Sequence, residues 1–295
     1  MRKLITALLA LTMIFALAAC SGTASTGSSS SSQSTAASAA AETETATSDA
    51  EPVELVVFAA ASMTETLNTI ADMYKQVEPN VTLTFNFDSS GTLKTQIQEG
   101  ADCDIFISAA QKQMNQLDIT ADTSVNTEGL DFVLSDTRVN LLQNQVVLVV
   151  PEGNPAGVTS FDDIATDQVT LIALGNSDVP VGQYAQEMFT TMGIWDTLNA
   201  EGKITFGSNV KEVTAQVSAG AVDCGVVYAT DALAAGLTVV TEAPEESHAP
   251  VIYPAAVMKS SKNVEAAQAF LDYLTTDACS AVFEEAGFTI PADTE

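Results

Sequence analysis

Small hydroxyl-bearing residues recur where a strand-like run gives way to a helix-like one. Ser62 follows Ala60-Ala61, and Ser89 and Ser90 precede Gly91 and Thr92. Pro180-Val181-Gly182 and Asn209-Val210 open two further amphipathic stretches, and Tyr228 ends an apolar run. The first N–H groups of a helix have no intrahelical acceptor, and the peptide dipoles favour negative charge there. A serine hydroxyl adds one more donor. Several such ends converging on one space would hold a small dianion with fixed donors at about 3 Å, without a cationic side chain. Cations are in any case scarce: of ten Lys and Arg, only Lys94 and Lys211 lie near these segments, each inside a predicted helix.

Each residue also has a plainer reading. A serine before a helix most often serves only as its cap. The Ser89-Ser90-Gly91-Thr92 turn offers more donors than one cap requires. Tyr228 reads equally as a packed aromatic with its hydroxyl at a rim, and Val181 and Val210 have only their main chain to give. An unprotonated oxyanion needs donors alone. A buried protonated phosphate needs an acceptor too, since an unpaired O–H costs about 1–3 kcal/mol; Asp88 is the nearby carboxylate. For catalysis a base is missing: the single histidine, His248, lies in Glu245-Glu246-Ser247-His248 at no recognisable triad spacing.

The elements that must position these residues follow from periodicity. Glu54–Ala60 is a buried strand of the parallel-sheet kind. Ser62 and Glu65, three apart, form a capping-box signature ahead of helically spaced Leu67, Ile70, Ala71 and Tyr74. Val81–Phe87 alternates as a second strand, Leu93–Gln98 is helical, and Asp104–Ile107 is a short third strand. Val146–Val150, Val169–Leu174 and Cys224–Tyr228 are further strands. Tyr184–Met192 is amphipathic, Asn209 and Glu212 repeat the three-residue cap spacing, and Val264–Leu274 reads as a terminal helix. The strand–turn–helix rhythm predicts open parallel sheets with ligands beyond the carboxyl ends of the strands. Two α/β lobes are expected, with chain crossings near residues 135–145 and 240–255.

The ends and the composition narrow the setting. Arg2 and Lys3 precede an apolar run from Leu4 to Ala19, too short to span a bilayer comfortably. Leu17-Ala18-Ala19-Cys20 is a lipobox, so residues 1–19 read as a signal peptide and Cys20 as a lipidation site. Residues 21–52, nearly all Ser, Thr, Ala and Gly at first and then Glu and Thr, read as a disordered tether with a reach of about 30 Å. The formal net charge of −28 argues against nucleic acid and anionic membrane surfaces as partners. Beyond Cys20 stand Cys103, Cys224 and Cys279, which can form at most one disulfide, and neither their spacing nor the one histidine suggests a metal site.

Several stretches together resemble the molybdate-binding proteins of ABC transporters: VFAAASMTETL, SSGTLKTQIQEGADCDIFISA, VPVGQYAQEMF with GIWDTL, NVKEVTAQVSAGAVDCGVVYATDAL, YPAAV and EEAGFTI. They spread over most of residues 54–291. The resemblance implies a two-lobed type II periplasmic-binding-protein fold, each lobe a mostly parallel sheet flanked by helices, with the ligand in the interlobe cleft. Lobe 1 would comprise residues 53–142 and 248–295, and lobe 2 residues 143–247. It implies molybdate or tungstate as ligand, held by Ser62, Ser90 and Tyr228 through hydroxyls and by Val181 and Val210 through main-chain N–H groups. It further implies no cofactor, no enzymatic activity, a monomer, an ABC permease and ATPase as partners, and an extracytoplasmic site of action. Sulfate, thiosulfate or phosphate is the alternative cargo; a serine hydrolase and a structural surface lipoprotein are remoter readings. Asp88 before Ser89 and Val181 at the main-chain donor position depart from the family pattern.

Overall fold

The computed structural model describes residues 51–244 and 246–292. The expected signal peptide, the Cys20 lipidation site and nearly all of the tether lie outside these residues.

The chain begins with β1 (Val53–Ala60), whose last four residues are buried. Val57 and Ala59 face one apolar core while Phe58 faces another, so the strand is covered on both sides. One 3-10 turn, Ala61–Met63, leads into α1 (Thr64–Val77). Then follow β2 (Val81–Asp88), α2 (Ser90–Gln98), β3 (Ile105–Ile107), α3 (Gln111–Asn115) and β4 (Val139–Asn144). After Gln145 come β5 (Val146–Val150), β6 (Ile172–Gly175), α4 (Pro180–Thr191), α5 (Trp195–Ala200) and β7 (Ile204–Gly207). The remainder is α6 (Val210–Ser218), β8 (Cys224–Tyr228), α7 (Ala229–Ala234), β9 (Thr238–Glu242), β10 (Val251–Val257), α8 (Val264–Leu274) and α9 (Asp277–Glu285).

Two five-stranded sheets result, ordered β2-β1-β3-β10-β4 and β7-β6-β8-β5-β9. Each has one reversed strand in the same place: β10 in the first sheet, β5 in the second. Chain direction explains this. The carboxyl ends of the parallel strands face the cleft. A strand entering from the other lobe starts at the cleft and must run away from it. β5 does so directly after β4, with Gln145 alone between them, and β10 does so after residues 243–250.

The Ser62/Glu65 capping box does not form. Ser62 lies within the 3-10 turn, and the N-cap of α1 is Met63 with no side-chain cap. A complete box stands instead at Ser160 and Asp163. At α6 the Asn209 side chain accepts from the Glu212 N–H, while the Glu212 carboxylate takes the N–H of Ser208 rather than that of Asn209.

Cys103, Cys224 and Cys279 are buried free thiols. Among the described residues no helix is long and apolar enough to cross a membrane.

Candidate functional site

A small, narrow space of about 10 Å³ lies between the two sheets. Ser62, Ser90, Val210 and Tyr228 all line it, with Ala60, Ala61, Asp88, Ser89, Ala109, Val179 and Pro180. Val181 follows directly at the second position of α4 and is fully buried. No Lys or Arg lines this space.

Ser62 is 5 % exposed, and its Oγ lies 2.9 Å from the Tyr253 hydroxyl. That hydroxyl also accepts from Asn144 Nδ2 at 3.2 Å, and the same amide donates to Thr230 Oγ1 at 2.9 Å. The chain Ser62–Tyr253–Asn144–Thr230 is therefore a buried polar line joining the first sheet to α7. With Tyr253 donating to Ser62, the Ser62 O–H is free to point into the narrow space.

The two serines of the next loop separate cleanly. Ser89 caps α2: its Oγ accepts from the Thr92 N–H at 3.2 Å and donates to Thr92 Oγ1 at 2.8 Å, so its one hydrogen is committed. Ser90 Oγ instead accepts from the Ala109 N–H at 2.9 Å, which leaves its hydrogen to give.

Tyr228 ends β8 and directs its hydroxyl toward the Ala109 carbonyl, 3.4 Å away. Its ring meets Tyr253 edge-on at 5.8 Å. Burial holds both phenols well above the ordinary tyrosine range, so each remains a neutral donor.

Val210 and Val181 stand at the first and second positions of α6 and α4. Helix geometry leaves both N–H groups without an intrahelical acceptor, and neither finds another among the described residues. Gly182 makes this possible on α4: a Cβ there would sit 2.1 Å from the Gly175 carbonyl oxygen, so only glycine lets the helix start abut the end of β6.

Asp88 is the exception in a donor-lined space. Its Oδ1 accepts from the Ser89 N–H at 2.7 Å and, from the opposite side, meets Asn209 Nδ2 at 3.5 Å. The carboxylate thus occupies a donor that the loop would otherwise offer.

Of the two lysines near these segments, Lys94 lies away from the space, beside Gln98 and Gln116. Lys211 follows Val210, but its ammonium turns to Glu65 and Asp231. His248 pairs with the Ala249 carbonyl and packs on Tyr184, ring centroids 5.4 Å apart. No serine is among its hydrogen-bond partners in the described residues. Nor do the described residues bring three or more His, Cys, Asp or Glu together as a metal site.

Three residues the sequence reading did not single out matter here: Tyr253, Asn144 and Ala109. Tyr253 lies within the YPAAV stretch, but only the fold shows that its hydroxyl reaches Ser62.

The chain matches the family described as bacterial extracellular solute-binding protein over residues 55–289. YvgL of Bacillus subtilis, whose name carries the designation substrate-binding lipoprotein, is 37% identical over 239 residues, covering 80% of this chain and 86% of that one. The molybdate-binding protein ModA of Escherichia coli is 36% identical over 248 residues, covering 82% and 91%. The solved periplasmic molybdate-binding protein of Azotobacter vinelandii superposes with a TM-score of 0.69 at 23% identity, over 81% of this chain and all of that one; it shares the two-lobed fold. With the match running from β1 to beyond α9, the chain belongs to the bacterial extracellular solute-binding proteins, a family of binders rather than enzymes, with ModA proteins among its relatives.

Proposed function

We propose that this protein captures molybdate, and tungstate with it, and delivers the anion to the permease and ATPase of an ABC importer. One observation carries the reading: the Ser62 and Ser90 hydroxyls, the Tyr228 phenol, which here faces the Ala109 carbonyl, and the N–H of Val210 meet around one narrow space, with Val181 beside it and no Lys or Arg in its lining. Such a donor set matches an oxyanion that carries no proton, because each of these groups asks the ligand only to accept, with Asp88 the one carboxylate in the lining. Fixed donors on buried residues bind charge more strongly than the same groups in water. The strongly acidic surface, screened over about 8 Å in physiological salt, opposes this little. The ModA relatives favour molybdate over sulfate or phosphate.

The lobes are residues 53–142 with 248–295, and 143–247, their seams lying within a few residues of the sheet crossings. A space of about 10 Å³ holds a single water at most. The lobes therefore part to admit a tetrahedral anion and close on it. Residues 1–19 are removed as a signal peptide, Cys20 carries the lipid, and the monomer works on the outer side of the cell membrane at the end of its tether.

Thermal unfolding of the protein lacking residues 1–20, with molybdate, tungstate, sulfate or phosphate at matched ionic strength, tests this. Ligand at about 1,000 times its Kd adds roughly 4 kcal/mol, so molybdate and tungstate should raise the midpoint by several degrees. A rise with sulfate or phosphate alone keeps the mechanism and replaces the cargo. No rise with any of the four overturns the reading.

A further inference from the structure

The cleft is bridged outside the anion space as well as within it. Lys211, the second residue of α6, places Nζ 2.8 Å and 3.0 Å from the two carboxylate oxygens of Glu65 in α1. The same ammonium lies 3.3 Å from Asp231 Oδ1 in α7. Glu65 belongs to the first sheet's lobe; Lys211 and Asp231 belong to the second.

The three groups differ in surroundings. The Glu65 side chain is 58 % exposed, that of Lys211 is 31 %, and that of Asp231 is wholly buried. Asp231 meets Lys211 as an ion pair without hydrogen-bond alignment, so neither of its oxygens has a hydrogen-bond donor among the described residues. An unpaired buried carboxylate is costly, and the nearest cation is held to it. Since both sit in one lobe, that pairing survives when the lobes part, whereas the pairing with Glu65 does not.

We propose that Glu65 and Lys211 form an interlobe latch, with Asp231 the positioning residue that keeps the lysine aimed at its catch. The latch stabilises the closed state without touching the anion, and so sets how long the anion stays. It rests on the reading of the cleft as an anion site that closes. The catch is half-exposed, so the contribution is modest. Pairs of this kind alter an equilibrium about 1.5- to 5-fold at ordinary salt, and opening, not encounter, takes the change.

The test uses the full-length chain in detergent, with Glu65→Gln, Lys211→Met, Asp231→Asn and the Glu65→Gln/Lys211→Met pair. Molybdate affinity and dissociation rate are measured from 50 mM to about 1 M NaCl. In a second set, spin labels at Asp72→Cys and Glu201→Cys report lobe separation without any anion. The latch predicts that each single variant releases molybdate about 1.5- to 5-fold faster at low salt. The double variant is no worse than the worse single variant. The difference from the parent disappears near 1 M NaCl, where screening acts over about 3 Å. Glu65→Gln also lowers the closed fraction in the anion-free protein. A Glu65→Gln variant with unchanged dissociation rate and lobe separation overturns the latch, as does full additivity with Lys211→Met. If the parent binds no molybdate, the cargo reading fails by itself. The lobe separations then decide the latch alone: a lower closed fraction in Glu65→Gln supports it, and an unchanged one overturns it.

Discussion

Ser90 Oγ takes the N–H of Ala109 at 2.9 Å, so the strand–helix junction after β3 is tied to the start of α2 through the very hydroxyl that faces the anion space. The bond does two things: it fixes the Ser90 rotamer, and it occupies an acceptor lone pair while leaving the hydroxyl hydrogen to give. Ser90→Ala should raise the molybdate Kd about 10- to 100-fold, the loss of a hydrogen bond to a charged partner. It should also lower unfolding stability by about 1–2 kcal/mol, because the Ala109 N–H is left buried and unpaired. Calorimetric titration and urea unfolding read the two effects separately. Ser89→Ala, which removes only a cap, should cost about 1 kcal/mol of stability and leave affinity nearly unchanged.

Tyr253 touches Ser62 and Asn144 but does not line the anion space. Tyr253→Phe should therefore act through Ser62, raising Kd about 3- to 10-fold and less than Ser62→Ala does. Once Ser62 is alanine, the tyrosine change should have little further effect. A double-mutant cycle by calorimetry checks this; full additivity would mean that Tyr253 does not orient Ser62.

Gly91 donates its N–H to the Asp178 carbonyl across the cleft at 2.9 Å. A Cβ at this residue would sit 2.4 Å from the same oxygen and 2.8 Å from the Asp178 Cα, both backbone atoms. Gly91→Ala should keep each lobe folded yet hold the lobes apart. Affinity should fall more than 10-fold while the anion-free melting midpoint moves by only a few degrees. Small-angle scattering with molybdate should show an envelope that no longer contracts.

Asp231 carries a pH dependence whose sign follows from its burial. Burial lifts its carboxyl to about 7 against the opposing pull of Lys211, with the Glu65 charge adding to the rise; the Tyr228 and Tyr253 phenols nearby stay neutral. Between the unfolded value near 4 and the folded value near 7, the native state keeps a proton that the unfolded chain has released. This group's contribution to stability therefore declines as pH rises through that interval. Asp118 acts in the opposite sense. Burial would raise its carboxyl, but hydrogen bonds from Thr120, Ser135 and Arg138 outweigh that and hold it below the usual range. Its contribution is present above about pH 4 and lost in acid. Urea unfolding at pH 5 and pH 8 should show Asp231→Asn gaining about 1–3 kcal/mol more over the parent at the higher pH. An equal gap at both values would mean that Asp231 does not titrate in this interval.

Strands and helices whose residues are apolar at a regular period were legible in the chain alone. Val146–Val150, Cys224–Tyr228 and Val264–Leu274 fall where the pattern puts them, because a strand buried on both faces or a one-sided helix needs no partner to be recognised. The short β4, β7 and β9 and the second terminal helix α9 carry no such signature. β4 and β9 mix polar and apolar residues and stand at the sheet edges, so the sheet rather than the chain specifies them. Donor chemistry was legible too: serines and helix starts already pointed to an anion, against a net charge and a scarcity of cations that argued the other way.

Tertiary structure alone decided which donors remain free. Ser89 and Ser90 are the same residue type, side by side, yet one hydroxyl hydrogen is spent within its own turn while the other is spared by an N–H nineteen positions away. Ser62 and Glu65 are spaced to cap a helix. Instead the serine meets Tyr253, 191 positions on, and the glutamate meets Lys211, 146 positions on. Spacing along a chain governs hydrogen bonds within a turn. A partner drawn from another strand or lobe exists only once the sheets have stacked, and at these residues that partner outcompetes the local one.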